Sequence, residues 1–300
     1  MLKVWLLILT LFATCSVLFA QAGSTGMAFL KLGTGARALG MGEAFTAVAD
    51  DPTATYYNPA GLSQTPSSQI LLMHKAWIQD VTTEYLGADT HAGALSLGIS
   101  INSTSVNNID IRNAPGPALG SFDARNAAIG FSAAYSVNSD LSLGITGKYL
   151  YEKILINEAS GLGFDLGVLY QTPWKIRFGA SIANLGSMNA LADDPTTLPR
   201  IFRIGGAYTT PIESMDGVLT LASDIVSVTN ESATHANVGL EFEYQKQFAL
   251  RAGYETGYDT KDFSAGAGFA YGILRLDYAF VPFREDFGTT HTFSLNIGIE

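Results

Sequence analysis

The chain has 300 residues, with 27 acidic against 17 basic side chains and a formal net charge of −10. Only 15% of its residues are charged, against roughly 25% in a typical soluble domain, while 31 glycines and 17 phenylalanines accompany a mean hydropathy of +0.20. This composition excludes a disordered chain, which needs low hydrophobicity, and a nucleic-acid binder, which needs a basic excess to neutralise phosphates.

The N-terminus reads as an address. Met1-Leu2-Lys3 is a short positive stretch, Val4 to Ala20 is apolar, and Ala20-Gln21-Ala22 has the small-x-small form that signal peptidase accepts. Residues 1–22 are therefore expected to be a signal peptide cut after Ala22, and the chain to be exported. The apolar run is short for an uncleaved anchor. Phe12-Ala13-Thr14 makes a poor lipobox ahead of Cys15, the single cysteine. Without Cys15 the mature chain has no disulfide, thiolate metal site or cysteine nucleophile.

Residues 23–68 do not alternate, and they are too short and glycine-rich to bury a core of their own. They are expected to fill a lumen enclosed by the rest of the chain. Asp50-Asp51-Pro52 is turn chemistry. Asn58-Pro59-Ala60 reads as a helix start, with Asn58 as N-cap and Pro59 where its missing N–H costs nothing.

From residue 69 onward the pattern has period 2, as in Leu95, Leu97, Ile99 and Ile101 with Ser96, Gly98, Ser100 and Asn102 between them. Period 2 means strands with one apolar face. Fourteen strands are predicted, at 69–78, 82–89, 93–105, 125–136, 141–154, 161–170, 175–184, 200–209, 218–229, 236–245, 247–256, 262–271, 273–281 and 290–300. The opposite face is mostly Gly, Ser and Ala, with isolated charges: Lys148, Asp165, Arg177, Arg203, Asp224, Glu241, Glu243, Arg251, Glu255, Arg275 and Asp277. A soluble sandwich would carry a well-charged outer face there. Small, sparsely charged residues suit a crowded lumen, and a bilayer accepts strands only as a closed cylinder. The predicted fold is therefore all-β: a closed antiparallel transmembrane β-barrel over 69–300, with an N-terminal hatch at 23–68.

The connections alternate in length. Short turns fall at 137–140, 171–174, near Lys246 and at Gly272; longer ones fall at 106–124, 185–199, 230–235, 257–261 and 282–289. Outer-membrane barrels have short periplasmic turns and long outer loops. Thr209–Gly217 is long for the first class and 155–160 short for the second. Tyr135, Tyr170, Tyr208, Tyr244 and Tyr271 end inward-running strands just before short turns, where an aromatic girdle belongs.

Three stretches of the N-terminal segment form a long motif: Gly35-Ala36-Arg37-Ala38-Leu39-Gly40-Met41-Gly42, Ala44-Phe45-Thr46-Ala47-Val48-Ala49-Asp50-Asp51-Pro52 and Tyr56-Tyr57-Asn58-Pro59-Ala60-Gly61-Leu62. It resembles the PorV/PorQ family of outer-membrane proteins, which is related to the FadL fatty-acid transporters. Glu43 stands where a glycine or another small residue is expected. The resemblance implies an outer-membrane barrel with a hatch, and assigns Asn58, Pro59 and Ala60 to that hatch. The candidate hatch positions are Gly35, Arg37, Gly40, Gly42, Asp50, Asp51, Asn58, Pro59, Ala60 and Gly61. PorV-like members serve type IX secretion, whereas FadL-like members pass hydrophobic molecules through an opening in the wall.

Catalytic and cofactor chemistry has no motif here. Gly35 to Gly40 has the spacing of a phosphate loop, but Met41-Gly42 replaces Lys-Ser/Thr. No GxSxG elbow occurs. His74, His91, His235 and His291 lack ligand spacing. Glu241 and Glu243 share a strand face, and Arg251 on the next strand can pair with them across the lumen. Arg177 and Arg203 either hold the hatch or reach Asp165. No metal, cofactor or nucleic-acid partner is expected. The partners implied are outer-membrane lipid, with either secreted proteins and secretion-system components at loops 106–124, 185–199 and 282–289, or hydrophobic small molecules. The first expected function is secretion or surface attachment; the alternative is a FadL-like conduit.

Overall fold

The computed structural model describes residues 26–65, 67–77, 81–191, 196–229, 234–285 and 287–299. The signal peptide and its cleavage site lie outside the described residues. Fourteen antiparallel strands close into one barrel: β1 Ser68–Ala76, β2 Val81–Ala92, β3 Leu95–Ile111, β4 Gly120–Ser136, β5 Leu141–Ile154, β6 Asn157–Gln171, β7 Ile176–Met188, β8 Ile201–Ile212, β9 Gly217–Val228, β10 Thr234–Tyr244, β11 Phe248–Thr256, β12 Phe263–Tyr271, β13 Leu274–Pro282 and β14 Thr289–Ile299. Each strand pairs with its sequence neighbours, and β1 closes the ring on β14 with Leu72 opposite Leu295. Among the described residues no helix is long and apolar enough to cross a membrane.

The strand count and the closed fold are those the alternation predicts. Several boundaries differ. The expected long loop 106–124 is largely strand, because β3 and β4 continue as a hairpin up to residues 112–119, past a register shift between Val106 and Ile109. Thr209–Gly217 shrinks to residues 213–216, a single 3-10 turn, and 155–160 shrinks to Leu155-Ile156. The cause is common to all three. Alternation is visible only where one face meets an apolar medium, but the backbone ladder continues through polar residues beyond that zone.

The corrected boundaries bring every connection at one end of the barrel into the short class. The connections after β2, β4, β6, β8, β10 and β12 are short throughout, and both barrel termini lie at that end. The five girdle tyrosines sit there with their rings exposed on the outer face. Above them runs a belt of exposed aliphatic and aromatic side chains, such as Leu143, Ile145 and Tyr149 on β5 and Phe202 and Ile204 on β8. A continuous belt of this kind exceeds any patch a soluble monomer leaves in water. Arginine at Ile145, between Leu143 and Tyr149, is expected to cost about 2–4 kcal/mol of folding stability in vesicles. Arginine at Ile156, on the β5–β6 tip, should cost less than about 1 kcal/mol. Equal losses in urea titrations would rule out lipid contact for the belt.

Candidate functional site

The lumen is filled by residues 26–65. This segment starts at the long-loop end, where the Gly26 N–H donates to the Thr197 carbonyl at 3.0 Å. A 3-10 turn, Ala28–Lys31, then places Phe29 and Leu30 among Ala128, Leu150, Ala159, Met188 and Leu198. Helix α1, Ala36–Gly40, lies against β11–β14. Helix α2, Ala54–Tyr57, leads to a 3-10 helix, Pro59–Gln64, packed on β3–β6. The segment leaves at the short-turn end through Thr65. Asn58 does cap, accepting from the Ala60 N–H at 3.2 Å, although the helix it opens is 3-10. Asp51 accepts from the Thr53 N–H at 2.8 Å, closing the turn expected at Asp50-Asp51-Pro52.

Wall glycines admit the segment's backbone. A Cβ on Gly144 would strike Ala60, one on Gly167 the Asn58 side chain, one on Gly179 Thr46 and one on Gly239 the Met41 carbonyl. Gly253 faces Gly42, which takes a left-handed φ of 61° and leaves no room for a side chain on either partner. Polar wall groups complete the seat. Asp224 accepts from the N–H groups of Phe45 at 3.0 Å and Thr46 at 2.8 Å, and Asn58 donates to the carbonyls of Thr46 at 2.9 Å and Val168 at 3.0 Å.

The predicted lumen charges divide into groups. Glu241 is the centre of one. It accepts from Arg37 at 2.7 and 2.9 Å and from Arg251, its cross-strand neighbour, at 2.6 Å, with Arg275 at 3.4 Å. Arg37 also pairs with Asp50, and Asp277 joins Arg251 at 2.9 Å and Arg275 at 3.1 Å. Glu243 stands at the edge, 3.7 Å from Arg275. All of these except the enclosed Arg251, together with Arg177 and Gln64, line a cavity of about 950 Å³ near the short-turn end.

Asp165 meets neither Arg177 nor Arg203. Its partners are Lys148 at 2.8 Å and the Asn184 N–H at 2.8 Å, at the bulge where β7 shifts register on β6. Arg177 instead reaches Gln64 of the luminal segment at 2.7 Å, and Arg203 lies over the rings of Tyr56 and Tyr57 at 5.1 and 5.6 Å.

Two clusters have no counterpart in the sequence motifs. Glu43 turns inward with φ 57° and pairs with Lys261 at 2.9 Å; Lys261 also meets Glu255 at 2.6 Å. Burial alone would push the Glu43 carboxyl up, but the Lys261 ammonium, together with Lys75 and Arg203, holds the group below the usual carboxylate range. The second cluster joins Thr65 to Asp89 at 2.9 Å and to His91 at 2.6 Å, with Ser96 2.9 Å from the other His91 nitrogen. Asp, His and Ser thus meet, but Ser96 is only 3% exposed, which leaves no room for a substrate at its hydroxyl. The cluster anchors the end of the segment. Among the described residues, no group of three or more His, Cys, Asp or Glu could hold a metal. Neither cluster has a local signature, because each forms only when the barrel brings distant strands together.

Residues 18–162 match the model of an uncharacterised protein family, UPF0164. No curated protein matches the chain. Among solved structures, the CymD monoaromatic hydrocarbon channel matches with a TM-score of 0.65 and 14% identity, covering 89% of this chain and 98% of that chain. The P. putida toluene transporter TodX matches with a TM-score of 0.65 and 12% identity, covering 89% and 99%. A Pseudomonas aeruginosa FadL homologue matches with a TM-score of 0.55 and 12% identity, covering 88% and 97%. At such identities the likeness is one of fold: this chain is built like FadL-type channels along almost its whole length.

Proposed function

We propose that the chain is a non-enzymatic outer-membrane conduit for small hydrophobic molecules, with residues 26–65 acting as its hatch. The carrying observation is the apolar seal that the hatch makes with the wall toward the long-loop end. Phe29 and Leu30 of the hatch meet Leu150, Met188 and Leu198 there, and the β3–β4 hairpin beyond carries the apolar residues Val106, Ile109 and Phe122, the last two cross-strand partners. An apolar seal over a stoppered lumen suits a solute that leaves water readily. The fold shared with a monoaromatic hydrocarbon channel and a toluene transporter supports the same reading. The secretion role implied by the PorV/PorQ motif has no comparable support.

The test measures toluene uptake by cells carrying the mature chain in their outer membrane. Uptake should exceed that of cells without it, and Phe29→Arg should remove most of the gain, since a charge in the seal opposes entry of an apolar solute. Toluene uptake indistinguishable from the control would overturn the reading. Sequencing of the purified N-terminus should begin at Gly23, as expected for export with cleavage after Ala22. A start at Met1 would refute that cleavage.

A further inference from the structure

We propose that the β11–β12 loop, residues 257–262, is an external latch on the hatch, with Lys261 as its bolt and Glu43 as its catch. The proposal rests on the reading of residues 26–65 as a hatch. Gly42 and Glu43 take consecutive left-handed conformations, with φ of 61° and 57°. For glutamate that backbone carries a cost, and the position suits a small residue better. Its side chain nevertheless lies buried, its carboxylate on the Lys261 ammonium.

Lys261 has a second hold, on the wall. Its ammonium meets Glu255 of β11 at 2.6 Å and lies 4.4 Å from the centre of the Tyr258 ring, which is itself stacked on His235 at 3.7 Å. One cation thus joins hatch and wall through two buried carboxylates. Lys75, which donates to the Gly33 carbonyl at 3.0 Å, and Arg203 add further positive charge facing Glu43. The Arg37–Glu241 tie is anchored on a strand, whose ladder holds it still. The Glu43–Lys261 tie is anchored on a loop at the long-loop end. That loop is joined to the β13–β14 loop through the Arg284 N–H to the Thr260 carbonyl at 2.7 Å and through Arg284 with Asp262. A force on either loop is therefore transmitted to the hatch turn at 41–43. Once Lys261 withdraws, Glu43 and Glu255 lose the cation that bridges them, and the turn loses this tie to the wall.

The experiment uses the mature protein in detergent and in planar bilayers. Lys261→Met keeps the side-chain length and removes the charge. Amide exchange over residues 38–48 should quicken about tenfold or more, since a local opening is made easier without unfolding the barrel, and single-channel conductance should rise several-fold. Glu43→Gln, which leaves Lys261 with Glu255, should quicken exchange less. Combining the two changes should give less than the sum of their separate effects, because both remove one interaction. Lys246→Met, in a short turn at the opposite end, should change neither readout. If Lys261→Met does not fold, Glu43→Gln alone decides through the same exchange measurement. A folded variant of either kind with wild-type exchange and conductance would overturn the latch. Neither readout involves a hydrophobic solute, so the latch and the conduit can fail separately.

Discussion

Alanine at Gly253 is expected to unseat the hatch. A Cβ built there falls on the backbone of Gly42, closer than side chains approach backbone in real structures, and also meets the Ser264 hydroxyl. Neither neighbour gives way cheaply. Gly42 is held in a left-handed turn, and its far side is fixed by α1 against β11–β14. Overpacking of a well-filled interior typically costs about 1–3 kcal/mol when side chains can shift; here backbone must shift, so the upper end is expected. The protein relieves the clash by moving the hatch, because the wall is held on both sides by strand ladders. Conductance in planar bilayers should therefore rise while the folded barrel persists. Gly147→Ala is the comparison. Gly147 lies on the outer face with Phe164 at 3.8 Å from the added carbon, which is ordinary contact. That change should be neutral or stabilise by up to about 1 kcal/mol through the unfolded chain. Equal conductance for Gly253→Ala and Gly147→Ala would mean that the hatch does not rest on the wall glycines.

How much of the fold the sequence discloses depends on the range of each interaction. Strands are disclosed because alternation is local: Leu143, Ile145 and Tyr149 point one way whatever the rest of the chain does. Cross-strand partners are nearly as local, so Arg251 opposite Glu241 comes from a single turn between adjacent strands. The third partner, Arg37, does not. It lies over 200 residues away in sequence, and only closure of the barrel around the segment brings it to Glu241. Glu43 shows the same limit from the other side. The motif marks it as a misfit, and its partner is a lysine in a loop with no pattern of its own. The wall glycines are visible in composition as an excess, but their meaning is positional. Gly144 and Gly253 admit the hatch backbone, while Gly147 merely faces outward.

Glutamine at Glu241 is expected to lower folding stability by about 3–5 kcal/mol, the usual cost of breaking a buried ion pair by removing one partner. Three guanidiniums converge on this carboxylate, whose side chain is 4% exposed. An amide of the same size presents an NH2 group where only an acceptor fits, so donors face donors. Arg37 keeps Asp50, and Arg251 and Arg275 keep Asp277, so the cluster does not collapse into bare positive charge. What is lost is the one acceptor shared between hatch and wall. Glu243→Gln is the contrasting change. Glu243 is partly open to the cavity and touches only Arg275, at 3.7 Å, so screening should hold its loss below about 1 kcal/mol. Removing Arg251 as well as Glu241 should cost less than the sum of the single changes by about 0.5–3 kcal/mol. Urea titrations in vesicles measure all three. If Glu241→Gln costs no more than Glu243→Gln, water reaches both carboxylates alike. The Glu241 cluster would then have no part in holding the hatch to the wall.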